Sequence, residues 1–181
     1  PGLIAVDDSY TTAFNTPVNG NAATGDTYAS GSTFAVAAAP SVGTVSMNAD
    51  GFYRYTPAAN YAGTVTFTYR VTDPTGRSVV ATETIVISPP QLIAVNDVYT
   101  TPYNTALNGN AAAGDTYATG SVFAATSSPS HGTVSMNADG TYRYIPATGF
   151  TGTDTFSYSI TDPTGRVVSA TETITVAAAP A

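Results

Sequence analysis

Cysteine is absent from the 181 residues, so disulfides and thiolate metal ligands have no part in holding this chain together. Lysine is absent too, and all five cations are arginines, which excludes an intramolecular Lys to Asn isopeptide cross-link. The sole glutamine, Gln91, follows Pro89-Pro90, outside any candidate strand, leaving little scope for a Thr to Gln ester. Charged residues are scarce, 9% of the chain against roughly 25% in ordinary globular domains. No stretch approaches the run of about 18 apolar residues that a membrane span requires, and no basic-then-apolar leader opens the chain. The expectation is a mature, soluble segment without membrane insertion. Twelve carboxylates set against five guanidinium groups give a net charge of −7, and no two arginines lie close in sequence. Phosphate binding needs a basic stripe, so nucleic acid is not an expected partner. An excess of carboxylates suits instead a hard cation such as calcium.

What the chain has is a duplication. Displaced by 89 positions, Leu3 to Pro90 aligns without a gap on Leu92 to Ala179, with roughly two-thirds of the residues identical. Gly43-Thr44-Val45-Ser46-Met47-Asn48-Ala49-Asp50-Gly51 recurs as Gly132 to Gly140, and Thr72-Asp73-Pro74-Thr75-Gly76-Arg77 as Thr161 to Arg166. The expected division is a first repeat over 1–88, a short proline-rich linker over 89–91, and a second repeat over 92–181. Consecutive prolines stop a strand and stiffen the connection.

Within a repeat no window supports an amphipathic helix, whereas period-two alternation is widespread. Phe52-Tyr53-Arg54-Tyr55 and Val65-Thr66-Phe67-Thr68-Tyr69-Arg70-Val71 put aromatic and apolar groups on one face and Thr or Arg on the other. Asn48-Ala49-Asp50-Gly51 and Asp73-Pro74-Thr75-Gly76 are tight-turn sequences, with Gly where positive φ is needed. About seven strands per repeat result, near 9–14, 16–19, 32–38, 43–48, 52–56, 64–72 and 77–87, with 4–6 as the start of a kinked edge strand. The fold class is all-β: two tandem immunoglobulin-like Greek-key β-sandwiches. Tyr55, Phe67, Tyr69, Val45, Val71 and Ile85 are the expected core, matched by Tyr144, Phe156, Tyr158, Val134, Ile160 and Ile174. Glu83 and Glu172 are expected at solvent-facing positions of the last strand, solvated or paired at the rim with Arg77 and Arg166.

Asp7-Asp8-Ser9-Tyr10-Thr11-Thr12, Gly132-Thr133-Val134, Asp139-Gly140-Thr141-Tyr142, Gly149-Phe150-Thr151-Gly152-Thr153-Asp154 and the closing Thr173-Ile174-Thr175-Val176 resemble the bacterial Ig-like and cadherin-like tandem repeats of large secreted surface adhesins. The likeness covers nearly all of both repeats. It departs at Val65, where the second repeat has Asp154, and at Val42, where it has His131. The resemblance implies an extracellular location on a bacterial surface, neighbouring repeats and other copies in a fibre as partners, and calcium held between repeats. The tentative calcium ligands are Asp8, Asp50, Asp73, Asn96, Asp97, Asp139 and Asp162. In the second repeat, hairpin alternation is expected to gather Asn96, Asp97, Asp139 and Asp162 beside the linker. Asp also favours turns for its own reasons, and Asp50, Asp73, Asp139 and Asp162 stand in turn sequences.

Catalysis is not expected. His131 and Ser130 are neighbours on one strand and point to opposite faces, and the sequence places no acid to orient the ring. Tyr28 and Tyr117, in the Gly-Asp-Thr-Tyr-Ala loops, are weak ligand-binding candidates that also suit capping of the sandwich. The expected function is a structural extender repeat of an adhesin or surface fibre. The alternative is a carbohydrate- or protein-binding accessory module of a secreted protein.

Overall fold

The computed structural model describes residues 2–180. The chain divides between Pro90 and Gln91 into two compact units. In the first, the strands are β1 (Asp8–Ala13), β2 (Val18–Asn21), β3 (Thr33–Ala38), β4 (Thr44–Met47), β5 (Phe52–Thr56), β6 (Gly63–Thr72) and β7 (Ser78–Ser88). In the second they are β8 (Asp97–Thr101), β9 (Leu107–Asn110), β10 (Val122–Ala125), β11 (Gly132–Met136), β12 (Thr141–Pro146), β13 (Gly152–Thr161) and β14 (Val167–Val176). The described residues contain no helix, and the all-β, two-sandwich class expected from the sequence is the one observed.

Each unit is a four-stranded sheet facing a three-stranded one. The orders are β1-β7-β6-β3 with β2-β5-β4, and β10-β13-β14-β8 with β11-β12-β9. Alternation drives the packing: on β6, Val65, Phe67, Tyr69 and Val71 are buried. Tyr55 and Tyr53 meet them from β5, and Ile85 and Ile87 from β7. Tyr144, Tyr142, Phe156, Tyr158, Ile160 and Ile174 build the same core in the second unit. Val45 and Val134 pack against the cores from half-buried positions. Leu3 to Val6 is not a strand: Ile4 makes a single bridge to Thr27, and its counterpart Ile93 to Thr116.

Two glycine roles are steric requirements. Gly76 and Gly165 close the Asp-Pro-Thr-Gly turns at φ of 86°, where a side chain is strained. Gly20 and Gly109 are different, because an added Cβ would lie 2.3 and 2.2 Å from the rings of Tyr53 and Tyr142. Those rings cross the strand next to them, and only hydrogen fits beneath.

One expectation is overturned. Glu83 and Glu172 are fully buried. They share the inward face of the central strand with Ala81, Ile85 and Ile87, or with Ala170, Ile174 and Val176, because residues two apart on a strand face the same way.

Candidate functional site

The chemistry of each unit gathers around that buried glutamate. Glu83 lies opposite Asp8 in the parallel pairing of β1 with β7, and Glu172 opposite Asp97 in that of β8 with β14. One glutamate oxygen accepts a hydrogen bond from a core tyrosine, Tyr53 Oη to Glu83 Oε2 at 2.9 Å and Tyr142 Oη to Glu172 Oε2 at 3.0 Å. The other oxygen, Oε1, is buried without a hydrogen-bond partner, as is Oδ2 of Asp8 and of Asp97. Burial and the negative charges of Asp8, Asp26 and Asp7 push the Glu83 carboxyl up to about 7, against the donation from Tyr53. Glu172 is pushed up to about 7 by burial and by Asp97 and Asp115. Asp8 is raised by burial, Asp26 and Asp7, and Asp97 by burial and Asp115.

Asp26 and Asp115 tie the chain's entry to this region. Asp26 Oδ1 accepts from the Val6 amide at 2.8 Å and both its oxygens accept from Tyr69 Oη at 3.0 Å. Asp115 accepts from the Val95 amide at 2.7 Å and from Tyr158 Oη at 2.8 Å. Asp7 Oδ1 takes the Thr82 amide at 2.8 Å, and Asn96 Oδ1 takes the Thr171 amide at 2.9 Å. That position uses one carbonyl-type oxygen, so Asp and Asn serve alike.

The turn aspartates are engaged inside their own turns. Asp73 accepts from the Thr75 hydroxyl, the Thr75 and Arg77 amides and the Arg77 guanidinium, Arg77 Nη2 lying 2.7 Å away. Those donors, led by the Thr75 hydroxyl, lower its carboxyl to about 2. Asp162 repeats the arrangement with Thr164 and Arg166, and although burial opposes it, those donors lower the carboxyl to about 2 as well. Asp50 and Asp139 cap the amides of Phe52 and Thr141. Asp8 sits six residues along β7 from Arg77, about 20 Å from the Asp73 turn at the rise of a strand. Calcium takes six to eight oxygens. Among the described residues no three carboxylate or imidazole groups converge to hold a metal, and the oxygens of Asp73 and Asp162 already answer a guanidinium. In each repeat the turn aspartates are thus held within their own turns, six strand positions from Asp8 or Asp97.

Tyr28 and Tyr117 are 41% exposed, each set edge-on against a core ring, Phe34 at 5.1 Å and Phe123 at 5.0 Å. His131 stacks on Phe150 at 4.4 Å, with Nδ1 3.8 Å from Asp154 Oδ1. Asp154 is buried and accepts from the Ser130, His131 and Thr155 amides and from Tyr144 Oη. It anchors the loop before β11. Its carboxyl is lowered, those donors outweighing burial.

Sequence reasoning missed Asp26, Asp115, Glu83 and Glu172 as a group. The signal was the strand parity of the glutamates with Ile85 and Ile174, and the recurrence of all four at the same offset.

A family model described as bacterial Ig domain matches residues 1–86 and again 88–176. No curated protein matches the sequence. Solved structures similar in fold include the human desmocollin-1 ectodomain, at 12% identity over 99% of this chain and 42% of that one, with a TM-score of 0.42. Extracellular cadherin domains 3–6 of protocadherin gamma B2 match at 13% identity over 94% and 50%, with a TM-score of 0.39. An endo-fucoidan hydrolase of glycoside hydrolase family 107 matches at 14% identity over 99% and 29%, with a TM-score of 0.39. The chain spans half or less of each of these chains.

Proposed function

The chain belongs to the bacterial Ig domain family, and from there we propose that its repeats are mechanical extender modules of an extracellular adhesin or surface fibre on a bacterium. The observation that carries this reading is the parallel pairing of the first and last strands of each repeat. Six aligned pairs run from Asp8 with Glu83 to Ala13 with Ser88, and five from Asp97 with Glu172 to Thr101 with Val176. Because the two strands run the same way, chain enters one end of the ladder and leaves the other. Tension along the chain then pulls β1 and β7 in opposite directions along their length. Ladder hydrogen bonds lie across that direction, so a whole row must yield together, where a hairpin pulled from its open end yields one at a time.

The roughly two-thirds identity of the repeats supports the same reading, since length and stiffness need no divergent copy. The partners in it are neighbouring repeats of the same chain and other copies in a fibre.

Single-molecule stretching of the two-repeat chain tests it. Two discrete force peaks are expected, each releasing roughly 30 nm for a repeat of about 89 residues at 3.3–3.6 Å each. Gradual extension without peaks would sink the mechanical role.

A further inference from the structure

The outward face of each three-stranded sheet carries a polar row that the extender reading does not use. Asn19, Arg54 and Ser46 stand abreast across β2, β5 and β4, and Asn108, Arg143 and Ser135 across β9, β12 and β11. All six are exposed. With Asn48 in the first repeat and Asn137 in the second, they line open grooves of about 350 and 480 Å³, floored by Tyr53 and Tyr142. No carboxylate lines either groove. Arg77 and Arg166 pair with turn aspartates. Among the described residues, neither Arg54 nor Arg143 has a carboxylate within ion-pair distance.

The row is also unchanged between repeats, while exposed positions around it differ. On β5 itself Phe52 is replaced by Thr141 and Thr56 by Ile145, yet Asn19, Ser46, Asn48 and Arg54 recur as Asn108, Ser135, Asn137 and Arg143.

The donors select the ligand. A guanidinium offers a planar fork that a carboxylate fills with two hydrogen bonds. Flanking carboxamides and a hydroxyl both donate and accept, which matches vicinal sugar hydroxyls. One cation per groove in a chain of net charge −7 repels a densely charged polyanion, nucleic acid and heavily sulfated polymer included. A sparsely charged polymer meets no such barrier. Sites copied with every repeat suit a ligand that repeats too, because several weak contacts on one strand add avidity.

We propose that the Asn19-Arg54-Ser46 and Asn108-Arg143-Ser135 rows are binding sites, one per repeat, for a uronic-acid unit within a polysaccharide, its carboxylate on the arginine. In the first repeat Phe52, 55% exposed at the groove's edge, adds a ring on which the sugar face stacks, so that site is the tighter.

The test is affinity electrophoresis of the two-repeat chain in gels containing glucuronoxylan, a neutral xylan backbone with isolated uronate branches, with EDTA present to remove calcium. Dextran and dextran sulfate gels serve as the neutral and densely charged comparisons. Retardation is expected in glucuronoxylan alone. R54Q and R143Q should each weaken it several-fold, R54Q more, and the double variant should abolish it. R54K should lose most of the retardation, since an ammonium keeps the charge without the fork. R70Q, outside the row, should migrate as the parent does. Equal retardation by dextran, stronger retardation by dextran sulfate, or an unchanged double variant would each overturn the proposal. Both arginines are exposed, and circular dichroism of each variant verifies the fold. The mechanical reading stands or falls separately, on the force peaks.

Discussion

Asp8 and Glu83 stand opposite each other on parallel strands, and each keeps a buried carboxylate oxygen with no hydrogen-bond partner. Asp97 and Glu172 do the same in the second repeat. A buried carboxylate is destabilising unless it is paired or hydrogen-bonded, and a second carboxylate beside it favours protonation of one. The groups facing Glu83 are Tyr53 from β5, Asp8 at the start of β1, Asp7 just before it, and Asp26 from the loop after β2. None of them is a cation.

Stability should therefore fall as pH rises through neutrality. Glu83 and Glu172 titrate near 7 in the fold and near 4.3 when unfolded. Between those values the folded state holds more protons, so stability declines with pH and levels off above the folded value. The double variant E83Q and E172Q keeps an acceptor for each tyrosine and adds a donor toward each aspartate. At pH 8 each substitution should stabilise its repeat by on the order of 2 kcal/mol, one pKa unit being worth about 1.4 kcal/mol. At pH 4.5 the gain should be near zero. Thermal melts at both values check this, and a pH-independent Tm for the parent chain would refute it.

At the acid end the sign reverses. Asp73 and Asp162 are lowered to about 2, so their contribution is full above about pH 4 and is lost as pH falls through 2. D73N and D162N should lower the urea midpoint at pH 5, and the gap to the parent should close by pH 2. A gap that persists at pH 2 would show that the turns depend on shape alone, without the ion pair to Arg77 and Arg166.

The fold was legible because its determinants are local. Alternation on β6, the Asp-Gly and Asp-Pro-Thr-Gly turns, and the 89-residue offset are all visible along the chain. Parity also marked Glu83 as inward, two residues from Ile85, yet its charge suggested the opposite face. What overrode that suggestion is non-local: the Tyr53 hydroxyl, thirty residues earlier, supplies the hydrogen bond that lets the glutamate stay inside. The parallel β1–β7 pairing was hidden for the same reason, since Asp8 and Glu83 are 75 positions apart and nothing in either segment names the other. The turn aspartates were read both as cation ligands and as turn formers, and the groups that answer Asp73 within its turn, Thr75 and Arg77, lie within four residues of it.

The two repeats hold the loop before β4 and β11 by different means, and a swap between them should be one-sided. D154V gives the second repeat the residue of the first. It strips the Ser130 and His131 amides of their acceptor and leaves the Tyr144 hydroxyl only the His131 carbonyl, 3.5 Å away. Stranding such donors is destabilising by about 1–3 kcal/mol, so the second repeat's urea midpoint should drop by a corresponding amount. In the first repeat Tyr55 Oη already donates to the Val42 carbonyl at 2.9 Å, and V65D gains no His131 beside it. It should destabilise that repeat. A neutral or stabilising D154V would mean that the loop is held by the His131–Phe150 stack instead.

Gly20 and Gly109 link the sheet backbone to the buried glutamates. A methyl group at either position meets a tyrosine ring at little more than 2 Å, and the ring can leave only by surrendering its hydroxyl's bond to Glu83 or Glu172. G20A and G109A thus combine overpacking with a carboxylate deprived of its one donor, and should destabilise their repeats by on the order of 3 kcal/mol. G25A separates space from conformation. Its φ is +72° and nothing lies within 4 Å of an added Cβ, so only the left-handed backbone penalty applies, about 1 kcal/mol. Chemical denaturation of the three variants at pH 5, where the glutamates are largely protonated, should retain the overpacking part of the G20A and G109A effects. At pH 8 both should widen relative to G25A, because an ionised glutamate needs the tyrosine more than a neutral one does. If G20A and G25A track each other at both pH values, the tyrosine is not the group that keeps Glu83 buried.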